Sequence, residues 1–294
     1  MNPLHNPGRP THLTLGGLTL TGFAVSAVAS YVMVPSLKAV FDLGHAPVDA
    51  LSLDNVLLSH VHKDHVGGLP LYLSLREMQG MGPARVYVPM ESRQPLLDFL
   101  AAFDRMEGPV VANREKEVIG VVPGDVFALG RNKVRVFGAS HRLPSVGYTV
   151  VDVRSKLRAE HVGKDPNVIR DMRLRGDTIV EVVERDLFTY VGDSTLATLV
   201  EHPELGRSRV LMIEATHLSD TPREVSEKYG HTHLDELAEL YARDPKGALA
   251  AEHIVLKHFS MRYEARDIQM AVAGLPDGLR ERVTVLVTPP TAEE

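Results

Sequence analysis

Residues 59–70 read "SHVHKDHVGGLP". Three histidines and an aspartate, His60, His62, Asp64 and His65, fall within six consecutive positions of a chain with 14 histidines in all. Crowded without a cation between them, such groups lose hydration and, when charged, repel one another. Around a divalent metal the same groups are ligands, because neutral imidazole nitrogen and carboxylate oxygen bind zinc. The flanks set the geometry. Upstream, "NVLLS" at 55–59 is an apolar run of strand type. Downstream, "GGLPLYLSLREMQG" at 67–80 predicts a helix with Leu69, Leu71, Leu73, Leu75 and Met78 as its apolar positions. Side chains two apart share a face of an extended segment. His60 and His62 can therefore grip one ion as the chain leaves the strand, and Asp64 and His65, beyond the bend, can face a second.

Two ions need more ligands, and the chain supplies them where predicted strands end, which is where α/β layers collect function. "FGASHRLPSVGY" puts His141 just past a strand, "YVGDST" puts Asp193 past another, and "VLKHFSMRY" puts His258 past a third. A lone histidine after a strand is more often a surface or core residue than a ligand. Taken together, these three complete two shells: His60, His62 and His141 for one metal, Asp64, His65 and His258 for the other, with Asp193 bridging.

Composition narrows the class. The chain has 294 residues, 44% of them hydrophobic and 24% charged, which is ordinary globular usage. The formal charge of −6 gives no basic field to attract nucleic acid. There is no cysteine, so disulfides and thiolate ligands are excluded and any metal sits on nitrogen and oxygen. Residues 12–37 carry no Asp, Glu, Lys or Arg, but Thr, Ser and Gly interrupt the run and much of it alternates. That predicts β-hairpins rather than a membrane span or a secretory signal, and a cytoplasmic protein.

The remaining pattern is mixed. Strands are predicted at 12–20, 22–34, 38–42 and 55–59, and further on in "RVYVP", "NKVRVFG", "LFTYV", "RVLMIE", "HIVLKHFS" and "RVTVLVT". Helices are predicted in "SRQPLLDFLAAFDRM", "THLDELAELYAR" and "YEARDIQMAVAG". No linker divides the chain, so residues 1–294 are expected to form one domain. The polar stretch 154–186 reads as an inserted flap.

His-x-His-x-Asp-His, followed in order by His141, Asp193 and His258, resembles the metallo-β-lactamase superfamily. The blocks "HRLPSVGY", "GDST", "IEATH", "GHTH" and "LKHFSMRY" are similar to those of ribonuclease Z, the endonuclease that trims the 3′ end of precursor tRNA, in its compact short form. The likeness runs from about residue 12 to 287. It implies a four-layer αββα sandwich with two divalent metals, zinc or alternatively manganese or iron, at one edge. It also implies a homodimer and no membrane. Asp42 falls at the family's supporting aspartate, His231 of "GHTH" at its acid histidine, and Glu214 of "IEATH" at the carboxylate that holds that histidine.

The implied chemistry is phosphodiester hydrolysis. Paired metals lower the pKa of a bridging water and clamp the oxygens of an in-line displacement. Asp64 can bind metal and orient the resulting hydroxide. His231 can protonate the leaving 3′ oxygen, with His233 as a rival donor. Ser145, Ser260 and Arg262 are candidate phosphate contacts. Two departures weaken the tRNA reading. The 43 residues between Tyr148 and Gly192 hold eight Lys or Arg against eight Asp or Glu and no Gly-Pro tract, so they offer little net phosphate grip. His217 also stands where the family commonly shows Phe. A small phosphodiester such as a cyclic nucleotide is therefore the alternative substrate. A non-catalytic RNA-binding relative is disfavoured because no ligand is lost.

Overall fold

A computed structural model describes residues 5–108 and 116–287. Two sheets face each other. The first contains β1 (Thr11–Leu15), β2 (Leu18–Ser26), β3 (Ala29–Val34), β4 (Ala39–Leu43), β5 (Asn55–Leu57), β6 (Arg85–Pro89) and β7 (Glu117–Val121) in that spatial order. The second contains β8 (Val126–Leu129), β9 (Asn132–Gly138), β10 (Val146–Leu157), β11 (Val180–Tyr190), β12 (Val210–Glu214) and β13 (His253–Lys257). After β13 the chain crosses back. β14 (Phe259–Ser260) pairs with β2 of the first sheet, and β15 (Val283–Val285) then closes the second sheet beside β13.

Helices cover both outer faces, which explains the continuous apolar runs in the central strands. In β4, Phe41 points into the space between the sheets and Val40 points outward; both are fully buried. In β12 and β13 the same division holds for Met212 against Leu211 and for Val255 against Leu256. Phe41 lies at the centre of the inner layer, with ring centroids 5.0 Å from Phe188 and 5.2 Å from Tyr190. Outside the first sheet are α1 (Lys63–Val66), α2 (Leu69–Met78) and α3 (Met90–Glu107). Leu69, Tyr72, Leu96 and Leu100 from α2 and α3 pack on that sheet. Beyond α4 (Pro166–Leu174) come α5 (Ala197–Glu201), α6 (Arg223–Tyr229), α7 (Leu234–Arg243), α8 (Ala265–Ala273) and α9 (Asp277–Arg280). Leu199, Leu234, Leu237, Ile268 and Leu279 from these helices cover the second sheet. The layers are thus the αββα sandwich expected.

Several predicted boundaries move. The strand expected at 12–20 breaks at Gly16-Gly17, whose φ values of +55° and +76° suit the two-residue turn of a hairpin. The strand expected at 22–34 instead begins at Leu18 and breaks at Ala27-Val28. Gly22 lies within β2, where a Cβ would meet the Tyr31 carbonyl oxygen at 2.7 Å. The helix expected over 67–80 is α2 alone, and a separate short helix, α1, holds Asp64 and His65. Thr288, the last residue of the predicted terminal strand, lies outside the described residues. The stretch 154–186 is the outer half of β10 and β11, paired from Tyr148–Tyr190 out to Leu157–Val180, with α4 between the two strands. Its polar sequence follows from exposure, since α4 buries no residue. Among the described residues no helix is long and apolar enough to cross a membrane.

Candidate metal centre

Strands β9, β11, β12 and β13 run in one direction, so their carboxyl ends meet at one edge of the second sheet. His141 follows β9, Asp193 follows β11, and Glu214 and His258 end β12 and follow β13. The loop after β5 brings His60, His62, Asp64 and His65 across from the first sheet. Close backbone approach makes this possible. A Cβ on Gly44 would meet the Asp64 carbonyl oxygen at 1.7 Å, and one on Gly192 would meet the Ser59 Cβ at 2.3 Å.

Three overlapping donor groups form among the described residues, the third joining Asp193 and His258 to His231. One ligand atom each from His60, His62, His141 and Asp193 lies within 4.8 Å of the others, and the same holds for Asp64, His65 and His258. Asp193 stands between these two groups. Its Oδ2 is 3.2 Å from His65 Nε2, 3.3 Å from His258 Nε2 and 3.8 Å from His60 Nε2. The structure thus brings together all seven residues singled out as ligands.

The donor set fits divalent cations. Ser59 Oγ donates to Asp42, so it accepts from His60 Nδ1 at 3.0 Å. His141 Nδ1 donates to the Gly230 carbonyl at 2.8 Å. Each ring therefore turns an unprotonated Nε2 inward, and both point at His62 Nδ1, at 2.9 and 3.3 Å. Burial, the largest cause at each ring, pushes the pKa of all three below the ordinary histidine value, and neighbouring imidazoles act in the same direction. Neutral imidazoles converging in this way offer their nitrogen lone pairs to a cation. Asp193 Oδ1 is buried without a hydrogen-bond partner among the described residues, which a cation would also remedy. In the second group His65 lies between Asp193 and Asp42. Burial disfavours its charge, but the two carboxylates hold the imidazolium up to about 10. A proton there does what a cation would do, so metal and proton compete for the site.

Asp42 anchors the floor. It adopts φ +54° and accepts from the Ser59 amide at 2.7 Å, His65 Nδ1 at 2.8 Å and the Tyr190 hydroxyl at 2.7 Å. The sequence pointed to Asp42 through family likeness but not to Ser59 or Tyr190. The only signal for these two was a polar residue ending each apolar strand. Asp64 Oδ2 accepts from the Ala27 amide at 2.9 Å.

His231 stands beside the first two groups, its ring centroid 5.6 Å from His141 and 5.5 Å from His258. Its Nδ1 is 2.9 Å from Glu214 Oε1. Burial lowers the His231 pKa, but the Glu214 carboxylate more than offsets this and holds it up to about 9. Glu214 is itself buried and fixed by the Ser194 amide at 2.8 Å and the Thr216 hydroxyl at 2.5 Å. His233 points elsewhere. Its Nδ1 accepts from the Asp235 amide at 3.1 Å as the cap of α7, and its Nε2 donates to the Thr221 carbonyl at 2.9 Å. With both nitrogens engaged and only 1% exposed, it has no proton to give a substrate. His217 is buried against Ser226 Oγ at 2.8 Å, and burial pushes its pKa down to about 4.

The phosphate candidates lie around this edge. Ser145 is buried with its hydroxyl unpartnered among the described residues, just before β10. Ser260 Oγ accepts from Arg262 Nε at 3.3 Å. Arg262 lies over the Tyr263 ring and helps line a cavity of about 550 Å³ with Asp220 and Asp267.

Comparison with known proteins agrees with this geometry. Residues 34–259 match the family described as the beta-lactamase superfamily domain. The chain is 28% identical to a protein of Arabidopsis thaliana named tRNase Z TRZ1, over 93% of this chain and 96% of that one. It is 30% identical to the chloroplastic tRNase Z TRZ2 of the same plant, over 92% and 76%. The solved structure of human tRNase Z, short form, superposes with a TM-score of 0.56 at 18% identity, over 96% of this chain and 98% of that one, and so shares the fold. The chain therefore belongs to the beta-lactamase superfamily and, within it, to the ribonuclease Z family of metal-dependent hydrolases.

Proposed function

We propose that the protein is a dinuclear zinc phosphodiesterase that cuts the 3′ trailer from precursor tRNA. The observation that carries this reading is the buried Glu214–His231 pair beside two adjoining donor groups. His60, His62 and His141 would hold one cation, Asp64, His65 and His258 the other, and Asp193 both. When bound, the cations supply an activated water and charge that neutralises the phosphoryl oxygens.

The side chains do the rest. Asp64, held by the Ala27 amide, would accept a hydrogen bond from the attacking water and aim it at phosphorus. The bond that breaks is that between phosphorus and the 3′ oxygen. His231, charged at neutral pH because of Glu214, gives its proton to that departing oxygen. Glu214 keeps the imidazole oriented with Nε2 free for the transfer. The products are an RNA 3′ hydroxyl and a trailer with a 5′ phosphate. Ser145, Ser260 and Arg262 contact the flanking phosphates. Family likeness supports a homodimer acting in the cytoplasm.

The test is incubation with precursor tRNA carrying a 3′ trailer, beside a cyclic nucleotide and a nitrophenyl phosphodiester. Cleavage leaving a 3′ hydroxyl at the trailer junction is the expected result. Hydrolysis of the cyclic nucleotide with intact precursor would overturn the substrate and favour the small phosphodiester.

A further inference from the structure

Lys257 ends β13, immediately before His258. It is 0% exposed, and its Nζ has no hydrogen-bond partner among the described residues. Val255, two residues back along the strand, belongs to the core between the sheets, so Lys257 points there as well. Its neighbour is Tyr190, with Nζ 4.7 Å from the ring centroid. The Tyr190 hydroxyl donates to Asp42 Oδ2 at 2.7 Å, and the same oxygen is 2.8 Å from His65 Nδ1. An unbroken series of contacts thus runs from the ammonium through the aromatic face to the carboxylate and on to His65.

Burying an ammonium without hydrogen bonds is strongly unfavourable, and a hydrophobic side chain of similar volume often stabilises such a position. A methionine here would serve the core better. The unfavourable residue lies at the floor of the donor groups, where the fold also accepts left-handed backbone at Asp42 and His258. A cation over a phenol ring draws electron density from the hydroxyl and makes it a stronger donor.

We propose that Lys257 is a positioning residue of the metal centre, acting through Tyr190 to hold Asp42 on His65. The inference rests on the reading of His65 as a ligand. It goes beyond that reading by assigning a role to a side chain that touches neither ion nor substrate. Groups that orient a metal-binding histidine typically change metal affinity by 10–100-fold when removed.

The experiment compares the wild type with Lys257→Met, Tyr190→Phe and the double variant, all as the full chain. Zinc affinity is read by competition with a chromophoric chelator, and melting temperature is read after chelation. Lys257→Met is expected to weaken one of the two zinc ions about tenfold while raising the melting temperature of the metal-free protein. Tyr190→Phe keeps the ring but loses the hydroxyl, and should weaken the same ion to a similar extent. The double variant should lose no more than the worse single one, because both act on one path. Unchanged zinc affinity in Lys257→Met would overturn the proposal, as would additive losses. Failure of Lys257→Met to fold would also overturn it, by showing the lysine to be structural. A wild type that binds no zinc would instead overturn the reading of the whole site.

Discussion

Glu214→Gln tests the proton donor most directly. The substitution removes the charge facing His231 and leaves one oxygen, which can keep the hydrogen bond from the Ser194 amide to the Oε1 position, while the Oε2 that accepts from Thr216 becomes an amide nitrogen. In the protein His231 is held up to about 9, against an ordinary value of 6.5. That difference is worth roughly 3 kcal/mol between the two protonation states. The raised value comes from Glu214 working against burial, so loss of the carboxylate should return His231 to 6.5 or below. A donor with a raised pKa is fully charged below that value and loses its proton as pH rises through it. At pH 7.5 the wild-type imidazole is almost wholly protonated, whereas the variant retains about a tenth of that form. Cleavage of RNA, whose leaving oxygen needs the proton, should fall about tenfold at pH 7.5. Bound cations lower both values, so the measurement is the separation between the two alkaline limbs of the rate profile, expected to be about two pH units or more. Toward acid pH the two proteins should approach each other. A variant limb that coincides with the wild-type limb would refute the role of Glu214 as the group that charges His231.

Three further outcomes follow from the same geometry. His231→Ala should lose about 10²–10⁴ in rate on RNA and far less on a nitrophenyl phosphodiester, whose leaving group departs without a proton; equal losses would refute proton donation. Asp193→Ala should empty both metal positions, while His60→Ala mainly empties the first and His258→Ala the second, as counted by elemental analysis. Gly44→Ala should destabilise by about 1–3 kcal/mol and release bound metal, because the new Cβ collides with the Asp64 carbonyl; denaturant titration and metal content together check this.

The convergence of the seven candidate ligands was legible in the sequence because they sit where apolar strands give way to polar residues. The pattern of strands supplied the order, and the chemistry of imidazole and carboxylate supplied the partition into two groups. The turn at Ala27-Val28 was not legible, since a non-glycine residue at φ +64° leaves no compositional mark. The strands within 154–186 were not legible, because an exposed two-stranded ribbon has no buried face to impose alternation. His233 and His231 look alike in "GHTH", and only the start of α7 separates them. One caps the helix, and the other turns toward Glu214. Lys257, seen in the sequence, is merely a polar residue at a strand end. Its burial is a property of the two sheets closing over it.

The crossing of the chain at His258 has a consequence for assembly. Before it, β13 belongs to one sheet; after it, β14 pairs with β2 of the other. The first sheet brings His60, His62, Asp64 and His65, the second His141, Asp193 and His258, so neither offers a finished coordination shell. His65 and His258 are 193 positions apart, and an ion held between them would fasten a loop of that length. Chelation would therefore reward only the closed sandwich and add stability by mass action as free metal rises. During synthesis, the shells could be completed only after residue 258 had emerged.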